Sequence, residues 1–182
     1  MTPLVPGVQI ALLLLVIPAA IFDIRSRRIP NWLNLSGLIL GFALNVFLAD
    51  RVTAGLKHSA VGMLFAFAVY FVLYLIHAMG AGDVKMMAAV GSIVGPADWL
   101  GIFVITALIG GIFALVLIFS KGRARKTLWN VGYLLSEVSH FRAPYMTREE
   151  LDVKSAKAAR LPHGFTIAIG CVIFIAAGYL VK

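Results

Sequence analysis

Hydrophobic residues run along this chain in blocks about as long as a bilayer crossing, parted by short polar intervals. A spanning helix needs about 20 mostly apolar residues. Pro6–Phe22, Trp32–Ala49, Ser59–Met79, Trp99–Ser120 and Gly164–Val181 approach or meet that need. A sixth block, Val84–Val94, is apolar but short, and Gly95-Pro96-Ala97-Asp98 after it is a turn signal. A short helix crosses when other helices enclose it. The pattern therefore predicts an all-α polytopic membrane bundle of about six transmembrane helices, forming one domain over residues 1–182. The stretch 121–163 is patterned differently. Leu128, Val131, Leu134, Leu135 and Val138 recur at three- and four-residue spacing, which predicts an amphipathic helix over Thr127–Phe141 lying on the membrane surface. Thr147-Arg148-Glu149-Glu150 has the form of a capping box opening a short polar helix to about Arg160.

Composition agrees with a membrane solvent. The chain is 61% hydrophobic with a mean hydropathy of +0.96, where soluble domains lie near roughly 45–50% apolar. The first apolar block lacks a basic leader segment and is expected to stay as the first helix rather than be cleaved as a signal peptide. A net charge of +8 often suggests nucleic acid, but in an apolar chain the positive-inside rule explains it better, and no nucleic-acid partner is expected. With the N-terminus outside, the cytoplasmic segments are Asp23–Asn31, Gly80–Lys85 and 121–163, and they carry 13 of the 16 Lys and Arg residues. Arg51, Lys57 and Lys182 are left outside. Such a bias sets orientation by the positive-inside rule. Lys85 is expected to reach from its helix end to the interface. A single cysteine, Cys171, provides no internal disulfide and no Cys-x-x-Cys pair.

Two of the eight acids abut hydrocarbon-like sequence. Asp23 ends the first apolar block, and Asp83 follows the third in Gly80-Ala81-Gly82-Asp83. Ionisable groups at membrane segments are costly, which makes them functional candidates. Two intervening spans return the chain to the same face, so both aspartates are expected at the cytoplasmic boundary. Paired carboxylates are sufficient for acid/base hydrolysis without a metal. Glycines beside Asp83 allow unusual backbone angles and close approach of a substrate backbone. Structural readings stand beside these. Asp83 alone is equally an N-cap after a flexible turn. Arg27 and Arg28 are charge anchors. Leu161-Pro162-His163-Gly164 is a common helix entry, with His163 a polar anchor. The four histidines have no metal-ligand spacing, and no serine sits in a nucleophile elbow.

Asp23 with Ile29-Pro30-Asn31, Gly-Ala-Gly-Asp-Val-Lys at 80–85, and Leu161-Pro162-His163-Gly164 before the last span together resemble the type IV prepilin peptidase family. These are membrane aspartic proteases of the Gly-x-Gly-Asp class, and the resemblance follows their order along nearly the whole chain. It implies that Asp23 and Asp83 are catalytic. It aligns Gly80, Gly82 and Lys85 with the active-site loop, and Pro162 and Gly164 with a Pro-aromatic-Gly motif in which His163 replaces the usual aromatic. It further implies cleavage of prepilin or pseudopilin leaders at the inner (cytoplasmic) membrane, amid lipid, with no metal or organic cofactor. Larger members carry paired Cys-x-x-Cys motifs associated with N-methylation. This chain instead resembles the short, peptidase-only members linked to tight-adherence (Flp-type) pili. A small proton- or cation-coupled transporter and a non-catalytic subunit of an assembly machine are the alternatives.

Overall fold

The computed structural model describes residues 4–76, 79–120 and 163–180, apart from the side chain of Ile118. Five helices follow in order: α1 (Pro6–Ser26), α2 (Asn31–Leu48), α3 (Val52–Leu75), α4 (Ala81–Ser120) and α5 (His163–Leu180). All five are long and apolar enough to cross a membrane, and no strand occurs among the described residues. The protein is an all-helical membrane bundle. The expected interfacial helix 127–141 and nearly all of 121–163, Pro162 included, lie outside the described residues.

The expected fourth and fifth spans are the two arms of α4, broken at one residue. Gly95 has φ 79° and ψ 176°, a left-handed backbone that favours glycine. A side chain there would also run into the His58 ring. The turn expected over four residues is thus confined to Gly95, and the helix resumes at Pro96, whose missing N–H and fixed φ suit a first helical position. Contacts with α3 show the reversal. Gly91 meets Gly62 and Ala66, and Gly95 meets His58. Trp99 then returns to Phe65 and Tyr70, with ring centroids 5.3 and 6.1 Å away. Both arms therefore lie along α3, and residues 84 and 113 end near the same end of the bundle, where Phe113 stacks on Phe165 of α5.

The first arm, residues 81–94, is about 20 Å long at the helical rise, short of a hydrocarbon core of about 30 Å. It tolerates that because it is central: residues 86–95 are all buried. Glycines let its neighbours come close. A Cβ on Gly41 of α2 would lie 2.8 Å from the Ser92 carbonyl carbon, and one on Gly62 of α3 would strike the Gly91 carbonyl. Such contacts are how membrane helices gain dispersion energy when lipid already satisfies their apolar surface. α3 starts at Val52, earlier than the expected Ser59, because Lys57 and His58 extend the helix without needing burial.

The break at Gly95 exposes a carbonyl problem that Asn45 solves. In an α-helix the Ser92 carbonyl accepts from the N–H of residue 96, and residue 96 is proline. The Asn45 amide donates instead, to Ser92 O at 3.0 Å and Ile93 O at 3.1 Å. It also lies within hydrogen-bond distance of Gly41 O and Ser59 Oγ, so its two hydrogens are shared among four oxygens. One buried carboxamide thereby joins α2, α3 and α4. Asn45→Leu is expected to strand these carbonyls and destabilise the fold by about 1–3 kcal/mol, measured as a lower thermal midpoint in detergent. An unchanged midpoint contradicts this role for Asn45.

Candidate active site

One end of the bundle collects the residues that chemistry singled out. α1 runs past Asp23 for one more turn, so this aspartate lies within the helix and not at its end. Arg27 closes the helix with φ 52°, its N–H donating to the Asp23 carbonyl oxygen at 2.9 Å. Ser26 Oγ donates to the Phe22 carbonyl at 2.8 Å. The Arg27 bond satisfies a carbonyl that the helix end leaves open, and beyond it the chain turns so that Ile29 faces the bundle.

The Asp23 side chain is 8% exposed. An anion in the last turn of a helix opposes the macrodipole. The compensation comes from α5: the Gly164 N–H donates to Asp23 Oδ2 at 2.7 Å, across 141 residues of sequence. Gly164 is the second residue of α5, where backbone N–H groups have no helical acceptor and the dipole favours negative charge. A Cβ on Gly164 would lie 3.1 Å from Asp23 Oδ2 and from Ile29 Cδ1. Glycine is what lets the carboxylate reach the backbone.

Asp83 repeats the device on α4. It is the third residue of that helix rather than its N-cap, and its Oδ2 accepts the Gly80 N–H at 3.2 Å. This is the return half of a capping box, with glycine at the position that would hold the reciprocal hydroxyl. Asp83 lies within the electrostatic reach of Asp23 and His163. Ile29 packs between the two glycine motifs, with its Cβ 3.8 Å from a Cβ position on Gly82 and its Cδ1 against Gly164. The two carboxyl groups form an interacting pair at this end of the bundle. Such a pair can take a proton from water and give one to a polarised carbonyl.

Gly80 and Gly82 differ from expectation in one respect. Gly95 is the one glycine with positive φ among the described residues, so neither of these uses glycine's conformational freedom. An added Cβ on Gly82 would meet only ordinary contacts, at 3.8 Å or more. What their bareness leaves is room at the start of α4. Lys85 is exposed on a different face from Asp83, and its Nζ donates to Asn31 Oδ1 at 2.9 Å. Lys85 thus ties α4 to the start of α2 instead of joining the carboxylates. Sequence reasoning assigned no site role to Ile29, Asn31 or His163. The fixed Ile-Pro-Asn spacing after Asp23 was the available signal for the first two.

The model of the type IV leader peptidase family matches residues 10–115, which include both aspartates and the Gly-x-Gly-Asp segment. The chain belongs to the type IV leader peptidase family. It is also similar to a prepilin leader peptidase/N-methyltransferase of Xanthomonas campestris pv. campestris, with 30% identity over 111 residues. That similarity covers 58% of this chain and 38% of the Xanthomonas protein. No solved structure matches the chain. Where α1 ends, Arg27 holds a left-handed conformation that costs a non-glycine residue roughly 1 kcal/mol. Arg27→Gly is expected to raise the thermal midpoint by a few degrees. A fall would contradict the assignment of Arg27 as a helix cap.

Proposed function

We propose that this chain is an aspartic endopeptidase that removes the leader of prepilin-like proteins, with Asp23 and Asp83 jointly activating the attacking water. Convergence of two carboxylates at one end of the bundle, each held by the N-terminal N–H of a helix, carries the proposal. Family membership supplies the substrate class. The Lys and Arg bias supports an N-terminus outside the inner membrane and a site at the cytoplasmic face, inside a single peptidase domain. The single cysteine among these residues supports a peptidase of the tight-adherence type without the methyltransferase activity in the Xanthomonas relative's name.

In the proposed reaction the ionised carboxylate takes a proton from water as the water oxygen bonds to the scissile carbonyl carbon. The protonated partner gives its proton to the carbonyl oxygen. The C–N bond then breaks as the departing nitrogen takes a proton from the pair and one hydroxyl of the tetrahedral intermediate gives its proton back to the pair, so the two carboxylates again share one. The bare backbone at Gly80 and Gly82 leaves room for an extended substrate. No step calls on a metal, and among the described residues no cluster of three metal-ligating side chains occurs.

Purified full-length protein incubated with candidate prepilins reports cleavage as a mobility shift and a new N-terminus. Asp23→Asn and Asp83→Asn are each expected to slow cleavage by at least about a hundredfold with helical circular dichroism retained. Substantial cleavage by either variant sinks the two-aspartate assignment. Gly164→Ala is expected to push Asp23 out of line and lower kcat by about ten- to a hundredfold. Wild-type turnover in that variant contradicts the positioning of Asp23 by α5.

A further inference from the structure

On the other side of the first arm of α4 a cavity of about 480 Å³ lies between α2, α3 and α4. Its size falls in the range of small-ligand pockets, roughly 300–1,000 Å³, and suits a few side chains rather than a whole helix. Its walls are mostly apolar, and Leu35, Leu64 and Phe67 are exposed at its edge. The cavity therefore opens sideways, toward lipid. Lys85 and Ala88 line it too. Steps of two and five residues from Asp83 turn by roughly 200° and 140° around the helix, so the cavity and the carboxylates occupy opposite faces of one arm. The short way between them crosses the start of α4, where Gly80 and Gly82 carry no side chain.

Three polar residues share the wall: Asn31 and Lys85, which are exposed and bonded to each other, and Asn34, which is buried. Asn34, 4% exposed, has a hydrogen-bond partner for neither Nδ2 nor Oδ1 among the described residues. A buried amide without partners is costly. Asn45, about three turns further along the same face of α2, has its amide hydrogens bonded instead. A carboxamide offers one acceptor and one paired donor side by side, which matches the C=O and N–H of an extended peptide and matches nothing in an acyl chain.

We propose that this groove is a peptide-docking site in which the Asn34 side chain, its amide atoms covered in this structure, turns into the groove to hydrogen-bond the backbone of the substrate's apolar segment while Leu35, Leu64 and Phe67 hold its side chains. The inference rests on the peptidase reading of the chain. The substrate enters from the lipid side, is registered by Asn34, and passes over Gly80–Gly82 to the carboxylates. Asn34 is then a positioning residue remote from the reacting bond. Its loss weakens binding and leaves the chemical step intact.

The test uses the full chain in detergent and a labelled synthetic peptide made of a basic leader, a glycine and an apolar segment. Binding is read by fluorescence anisotropy on an Asp23→Asn, Asp83→Asn background, and cleavage on the wild-type background. Asn34→Leu keeps the branching and number of side-chain heavy atoms and removes both polar groups. It is expected to raise Kd and KM about tenfold or more, with kcat within about twofold and the thermal midpoint unchanged or higher. Unchanged Kd and KM overturn the proposal, because apolar or lipid-like occupancy does not need the amide. A lower midpoint with unchanged KM also overturns it and makes Asn34 a structural residue. Failure of the peptide to bind the Asn34 chain overturns it as well. Asn34-dependent binding without cleavage by the wild-type chain upholds the groove and counts against the proposed reaction, so the two failures are told apart.

Discussion

Two carboxylates stand at the edge of an apolar bundle because two helices begin there. Asp23 accepts the Gly164 N–H at the start of α5, and Asp83 accepts the Gly80 N–H at the start of α4. Each bond pairs a costly anion with a backbone donor that has no helical acceptor and sits at the positive end of a dipole. Each also needs a glycine or a tight turn, because a side chain at Gly164 would occupy the space that Asp23 fills. The rest of the molecule serves to keep these two helix starts side by side. α1 delivers Asp23, the Arg27 cap turns the chain, and Ile29 fills the gap between Gly82 and Gly164.

The start of α4 can be where it is only because that helix turns back. A straight helix of 40 residues would be roughly 60 Å long, about twice the hydrocarbon thickness. Gly95 breaks it, Pro96 restarts it without an N–H, and Asn45 takes up the carbonyls that the break leaves bare. The short first arm is then enclosed on its buried face by α2 and α3 and presents Asp83 at one end and the cavity beside Asn34 along its flank. Small residues along α2 and α3 make that enclosure tight. Stability and the candidate site are therefore coupled through one arm: whatever loosens its packing moves Asp83.

Much of this was legible in the sequence, and the exceptions have physical causes. That the chain is an all-helical membrane bundle followed from block length, since lipid demands internally bonded backbone. That Asp23 and Asp83 belong to one end followed from counting the spans between them. Asp23's position inside the last turn of α1 did not follow, because hydropathy falls at a charge whereas the helix ends where an αL residue closes it. Nor did the role of Gly164: its partner is 141 residues away, and no local periodicity carries such a contact. Gly80 and Gly82 were expected to give unusual backbone angles as well as room. Their φ angles are ordinary, and their use is space. Asn34 and Asn45 share one helix and look alike in sequence, yet one is saturated with hydrogen bonds and the other has none among the described residues. Only packing separates them.

The central claim is that Asp23 and Asp83 act as one unit. Its most direct test is the energetic coupling between them in leader cleavage, measured by comparing each single asparagine variant with the double variant. A pair that shares one proton is disabled by the loss of either member, so the double variant should cleave at the rate of the slower single variant within a few-fold. If the two losses instead multiply, the aspartates contribute independently and the paired-carboxylate account is wrong.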